Sequence, residues 1–89
     1  MTFKTELEIQ NRKGLHARAA AAFVKVAESF DAVIEVERAG QKVSGCSIMG
    51  LMMLAAAKGT TISVSAEGRQ AEKAVQAIAK LVNDKFGED

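Results

Sequence analysis

The polarity of this chain switches repeatedly between a period of two residues and one of three to four, and that pattern restricts the fold more than any single motif does. Phe3, Thr5, Leu7 and Ile9 alternate with Lys4, Glu6 and Glu8, the period-two pattern of a strand with one buried face. From Ala17 to Ser29 the residues are good helix formers, and Ala20, Phe23 or Val24, and Ala27 recur every three or four positions, which predicts a helix. Ala32, Ile34 and Val36 alternate with Val33, Glu35 and Glu37, the turn-like Arg38-Ala39-Gly40-Gln41 follows, and Lys42-Val43-Ser44 returns. An antiparallel hairpin is expected there.

Ser47 is placed to cap a short helix from Ile48 to Met53, with the cation and glycine of Lys58-Gly59 expected near its end. Thr61 to Ala66 reads as a fourth strand. Ala71, Ala74, Val75, Ile78, Leu81 and Val82 mark a last helix ending near Phe86, and Gly87-Glu88-Asp89 reads as a frayed tail.

The order is βαββαβα, an α+β chain in which every helix has an apolar stripe and every strand one apolar face. A four-stranded antiparallel sheet with three helices on one side is the simplest packing. At 89 residues the chain supports one core, so a single domain over 1–89 is expected. There is no internal repeat, linker or proline to divide it.

Several function classes fall away. No apolar run approaches the ~18–20 residues that cross a bilayer, so membrane insertion is not expected. The first residues lack the basic-then-apolar pattern of an export signal, which favours the cytoplasm. A net charge of +1 without basic clusters, and four Phe with no Tyr or Trp, leave little for nucleic acid to bind or stack on. Cys46 is the only cysteine, so it has no internal disulfide partner and no companion for zinc. Neither a metal nor an organic cofactor is indicated.

The only histidine lies in Lys13-Gly14-Leu15-His16-Ala17-Arg18, between the first strand and the first helix. A free imidazole has a pKa of about 6.5, so near neutral pH much of it is an unprotonated nucleophile. A phosphoryl group attached there would face unpaired amides at the positive end of a helix, and Arg18, two residues on, could add a charge-assisted contact. Gly14 permits a sharp turn and Leu15 an anchor. The residues alone equally allow His16 to be a polar helix-start residue beside a solvated Arg18. A hydrolase would need a second catalytic group to position water, and none is evident.

Ser47 has a complete structural explanation as an N-cap. Ile48, Met49, Leu51, Met52 and Met53 are too crowded to share one buried face of a short helix. They allow either a mostly buried set or an adaptable methionine-rich patch.

Gly14-Leu15-His16-Ala17-Arg18 and Ser47-Ile48-Met49-Gly50-Leu51-Met52 resemble the two motifs of the HPr family, the histidine-containing phosphocarriers of the bacterial phosphotransferase system, and the likeness extends over nearly the whole chain. The resemblance implies an open-faced sandwich and a carrier rather than an enzyme, monomeric and cytoplasmic. It implies that enzyme I donates a phosphoryl group to Nδ1 of His16, that Arg18 steadies it, and that an enzyme IIA protein accepts it. It makes Ser47 a regulatory target of HPr kinase/phosphorylase and Ile48, Met49 and Met52 the docking residues, and assigns Leu51 and Leu54 to the core. Two positions depart from the common pattern. Ala19 stands where proline usually follows the arginine, as in the family's nitrogen-related branch, and Cys46 stands where a polar or basic residue usually precedes the serine.

Overall fold

The computed structural model describes residues 2–88. Its elements are β1 (Thr2–Glu8), α1 (Ala17–Glu28), β2 (Val33–Arg38), β3 (Gln41–Ser44), α2 (Ile48–Met53), β4 (Thr61–Glu67) and α3 (Ala71–Asn83), followed by a terminal turn, Lys85–Gly87. This is the βαββαβα order that the periodicity predicts.

The strands form one antiparallel sheet in the order β1-β4-β2-β3. The last strand in sequence is therefore inserted between the first two, with Thr5 opposite Val64 and Val64 opposite Val36. Ile34, Val36, Ile62, Val64 and Ala66 are buried on the helix side. The other face carries cross-strand rows such as Glu6, Ser63, Glu37 and Lys42, as expected of a sheet with one solvated face. Between β2 and β3, Ala39 (φ 52°) and Gly40 (φ 83°) make a two-residue loop with positive φ at both positions, which matches the twist of the flanking strands.

α1 turns Ala19, Ala20, Phe23, Val24 and Ala27 into the core, and α3 turns in Ala71, Ala74, Ile78 and Val82. Alanine-rich faces let these helices sit close to the sheet while Phe23 and Ile78 fill the remaining volume. Each large apolar side chain buried this way contributes about 1.5–3 kcal/mol.

Three local expectations change. α2 ends at Met53, well before Lys58-Gly59: Leu54 closes it, the Arg38 Nη1 donates to the Leu54 carbonyl at 2.9 Å, and Ala55 takes a left-handed φ of 51°. A tertiary cation thus replaces the local lysine at the helix C-terminus. Gly59 (φ 91°) instead turns the chain into β4, its amide donating to the Ile9 carbonyl at 2.8 Å. α3 stops at Asn83 rather than near Phe86.

The third difference lies at the end of the chain, which is turned back instead of frayed. Lys85, Phe86 and Gly87 all have positive φ, 58°, 56° and 78°. A non-glycine residue in this region costs roughly 1–2 kcal/mol, so the turn needs support from elsewhere. Phe86 supplies part of it by packing against the core, and Glu88 supplies more at the site described next. Asp89 lies outside the described residues.

Candidate functional site

The segment between β1 and α1 is a tight turn clamped from inside. Asn11 is the one buried polar side chain among the described residues; its Nδ2 donates to the Gly14 carbonyl at 2.8 Å, and the Gly14 amide donates back to the Asn11 carbonyl at 3.2 Å. Gly14 has a φ of 67°, and a Cβ there would lie 2.6 Å from the Ala56 carbonyl oxygen. That oxygen accepts the Leu15 amide at 2.9 Å, and Leu15 is buried. The turn, the anchor and the absence of a side chain at Gly14 together fix where the next residue must stand.

That residue is His16, the N-cap of α1. Its backbone is extended, its carbonyl accepts the Ala20 amide at 2.8 Å, and its Nδ1 accepts the Arg18 amide at 3.3 Å. A ring nitrogen here takes the place of the usual serine or aspartate oxygen. Accepting requires a lone pair on Nδ1, so in the neutral ring the proton belongs on Nε2. Nε2 faces the Glu88 carboxylate, 3.0 Å from Oε1 and 3.1 Å from Oε2. The same Oε1 accepts the Asn11 Nδ2 at 2.9 Å.

The hydrogen bond from Asn11, then that from His16, hold the Glu88 carboxyl below its ordinary range, aided by the charges of His16 and Lys13 and opposed by desolvation. An anion is therefore fixed on one edge of the imidazole while the other edge faces the amides of a helix start. The Arg18 side chain, in the first turn of α1, is exposed.

Ser47 caps α2 as expected: its backbone is extended and its Oγ accepts the Gly50 amide at 2.9 Å. Gly50 is explained by its surroundings, since a Cβ would sit 3.1 Å from both Ser47 Oγ and Val43 Cβ. Of the crowded apolar residues, Leu51 and Leu54 are buried, whereas Ile48, Met49, Met52 and Met53 are exposed, Met49 by 74%. The choice between core and patch is thus decided for the patch. α1 and α2 pack against each other, which places both helix starts on the same layer.

The sequence reading missed Asn11 and Glu88. Asn11, three residues before Gly14, carries a weak turn signal. Glu88 carries none, being 72 positions from the histidine it contacts. Among the described residues no three His, Cys, Asp or Glu side chains are grouped to hold a metal ion, and no helix is long and apolar enough to cross a membrane.

A small helix-covered sheet presenting one histidine at a helix N-terminus defines a class of phosphoryl-carrying proteins. Residues 3–84 match the family model described as PTS HPr component phosphorylation site. The phosphocarrier protein HPr of Neisseria meningitidis serogroup B is 46% identical over 85 residues, 96% of each chain. The crystal structure of HPr-C-His from Thermoanaerobacter tengcongensis superposes with a TM-score of 0.94 at 44% identity, covering 98% of each chain. An HPr dimer from the same organism matches with a TM-score of 0.78 at 46% identity, over 92% of this chain and 94% of that one. The chain belongs to the HPr family of the phosphotransferase system, whose members are phosphocarriers rather than enzymes.

Proposed function

We propose that the whole chain, 1–89, acts as one cytoplasmic, monomeric carrier that receives a phosphoryl group on Nδ1 of His16 from phospho-enzyme I and passes it to an enzyme IIA protein. The observation that carries this reading is the orientation of His16: Nδ1 holds its lone pair at the start of α1, against the Arg18 amide. In the transfer, that lone pair forms the new N–P bond as the bond from phosphorus to the donor breaks, its electron pair leaving with the donor. No base is required, because the attacking nitrogen carries no proton.

The 3.3 Å bond from the Arg18 amide is longer than the usual ~2.9–3.0 Å and must open for the attack. The released amide then becomes a donor for a phosphoryl oxygen, and the Arg18 guanidinium supplies a second, charged one. Ile48, Met49 and Met52 form the docking surface, flexible enough to fit both donor and acceptor.

Ser47 is the regulatory position, a target for HPr kinase/phosphorylase. A phosphate there adds about −1.5 to −2 charge beside the docking surface and slows transfer by repelling an acidic partner. Ala19 in place of proline supports the nitrogen-related branch over sugar transport.

The test is incubation with enzyme I, magnesium and phosphoenolpyruvate, followed by intact mass and acid lability of the adduct, with His16→Ala and His16→Asn as controls. Asparagine caps a helix well, so the second control retains the fold. One acid-labile phosphoryl group on the wild type and none on either variant is expected; equal phosphorylation of His16→Asn would remove His16 from the reaction.

A further inference from the structure

We propose that Arg38 is a positioning residue for phosphoryl transfer: by holding the carbonyl at the end of α2, it sets where His16 stands relative to the docking face of that helix. This rests on the reading that His16 accepts the phosphoryl group and α2 docks the partners, and adds to it a side chain from the β2–β3 hairpin.

α2 has six residues and no basic side chain in its last turn, so its final carbonyls need partners from elsewhere. Arg38 Nη1 meets the Leu54 carbonyl at 2.9 Å, reaching it from a half-buried position where Arg38 and Gln41 close the hairpin. The next residue, Ala55, has a φ of 51°, a left-handed conformation that alanine keeps only where its surroundings impose it. That torsion sets the attitude of the peptide joining Leu54 to Ala55. A guanidinium anchored on the Leu54 oxygen therefore resists a swing back to negative φ. Ala56, buried, then offers its carbonyl to the Leu15 amide at 2.9 Å, and both Ala56 and Ala57 press on Gly14, with the Ala57 Cα 3.0 Å from where a Cβ would stand. The route from Arg38 to His16 is one hydrogen bond, the segment 54–56, and a second hydrogen bond to the residue before the histidine.

In a transfer complex the partner seats on Ile48, Met49 and Met52 while Nδ1 of His16 must meet phosphorus in line. Surfaces on two separate elements satisfy both conditions only when their spacing is fixed, since a misplacement of about 1 Å can cost on the order of 100-fold in rate. Arg38 acts where the docking helix ends and the segment touching the histidine turn begins. Its release leaves the exposed side chains on α2 but frees the His16 turn to shift against them, so partner affinity is retained and the transfer step slows.

Arg38→Met, which keeps the stem and removes the donors, tests this in the full chain. At saturating phospho-enzyme I, well below the melting temperature, its single-turnover rate should fall about tenfold, the scale of one hydrogen bond from a charged group, while the Kd for enzyme I is unchanged. The Leu15 amide should exchange with deuterium faster, whereas the Gly45 amide, bonded to the Ile34 carbonyl at 2.7 Å just beyond β3, should not. Arg38→Lys, a single donor, should lie between, and carries the same comparison where Arg38→Met does not fold. Adding Ala55→Gly to Arg38→Met should restore most of the rate, because glycine takes positive φ without strain. An unchanged rate, or a loss explained wholly by weaker binding of enzyme I, overturns the positioning role. So does a slow variant in which Leu15 and Gly45 exchange faster together, or in which Ala55→Gly restores nothing, since Arg38 would then act only on stability. Wild-type protein that takes no phosphate at all overturns the reading beneath it.

Discussion

Asn11 and Glu88 stand 77 positions apart and meet at 2.9 Å, the amide of one donating to the carboxylate of the other beside the ring of His16. The tail is thus tied to the turn after β1 at the site, in addition to the packing of Phe86 against the core.

That tie has a pH signature. The Glu88 carboxyl titrates below its ordinary value of 4.5, chiefly through the hydrogen bond from Asn11 and then that from His16. A group whose pKa is lowered by docking binds fewer protons docked than free, so docking is fully favourable above 4.5 and weakens as pH falls through the lowered midpoint. In Asn11→Ala the midpoint should rise toward the ordinary value, as followed by carbon-13 NMR of the side-chain carboxyl. An unchanged midpoint would show that Asn11 does not hold the tail.

Gly14→Ala places a Cβ 2.6 Å from the Ala56 carbonyl at a φ of 67°. Backbone strain of this kind costs about 1–3 kcal/mol, and the clash with a backbone oxygen adds to it. Gly40→Ala is the matched control, with a similar φ of 83° but open space around the new Cβ. Thermal unfolding should show the larger loss for Gly14→Ala, together with slower phosphorylation of His16. Equal melting points for the two variants would remove the clash from the explanation.

At Ser47 the cap and the proposed regulatory charge are separable. Ser47→Ala removes the Oγ that accepts the Gly50 amide and should cost about 1 kcal/mol, a fall of roughly 4–8 °C in melting temperature for a domain of this size. Ser47→Asp retains a cap acceptor and adds an anion at a helix start, so its stability should match the wild type. Its phosphorylation rate should nevertheless drop, measured with enzyme I in excess. A fast, stable Ser47→Asp would argue that charge at this position does not regulate transfer.

Met49 and Leu51 differ by two positions and by everything else. Met49 is 74% exposed and Leu51 fully buried. Met49→Ala should leave stability within about 0.5 kcal/mol of the wild type while weakening the complex with enzyme I, read by titration calorimetry. Leu51→Ala should cost about 2–5 kcal/mol of stability. Enzyme I affinity unchanged in Met49→Ala would move the docking surface away from α2.

The alternation in Phe3–Ile9 and Thr61–Ala66, the helical stripes from Ala17 and Ala71, and Ser47 as a cap were all legible because they are local: side-chain period and capping chemistry act within a few residues. The same locality exposed Gly14, Leu15, His16 and Arg18 as one motif. It also accounts for what was misplaced or left open. The end of α2 is set by Arg38 rather than Lys58, and the exposure of Met49 and Met52, left open by the sequence, depends on how α2 lies on its neighbours; neither is encoded in spacing.

What only tertiary structure decided is the order β1-β4-β2-β3 and the return of the tail. Strand order depends on which apolar faces meet once the helices have packed, a sum over contacts distant in sequence. Glu88 reaches His16 only because Phe86 is drawn to the core, turning the last residues through a left-handed path that local preference opposes. The sequence by itself determined the histidine and the helix that it caps; the fold determined what its ring meets, because the carboxylate beside Nε2 comes from Glu88, 72 positions away.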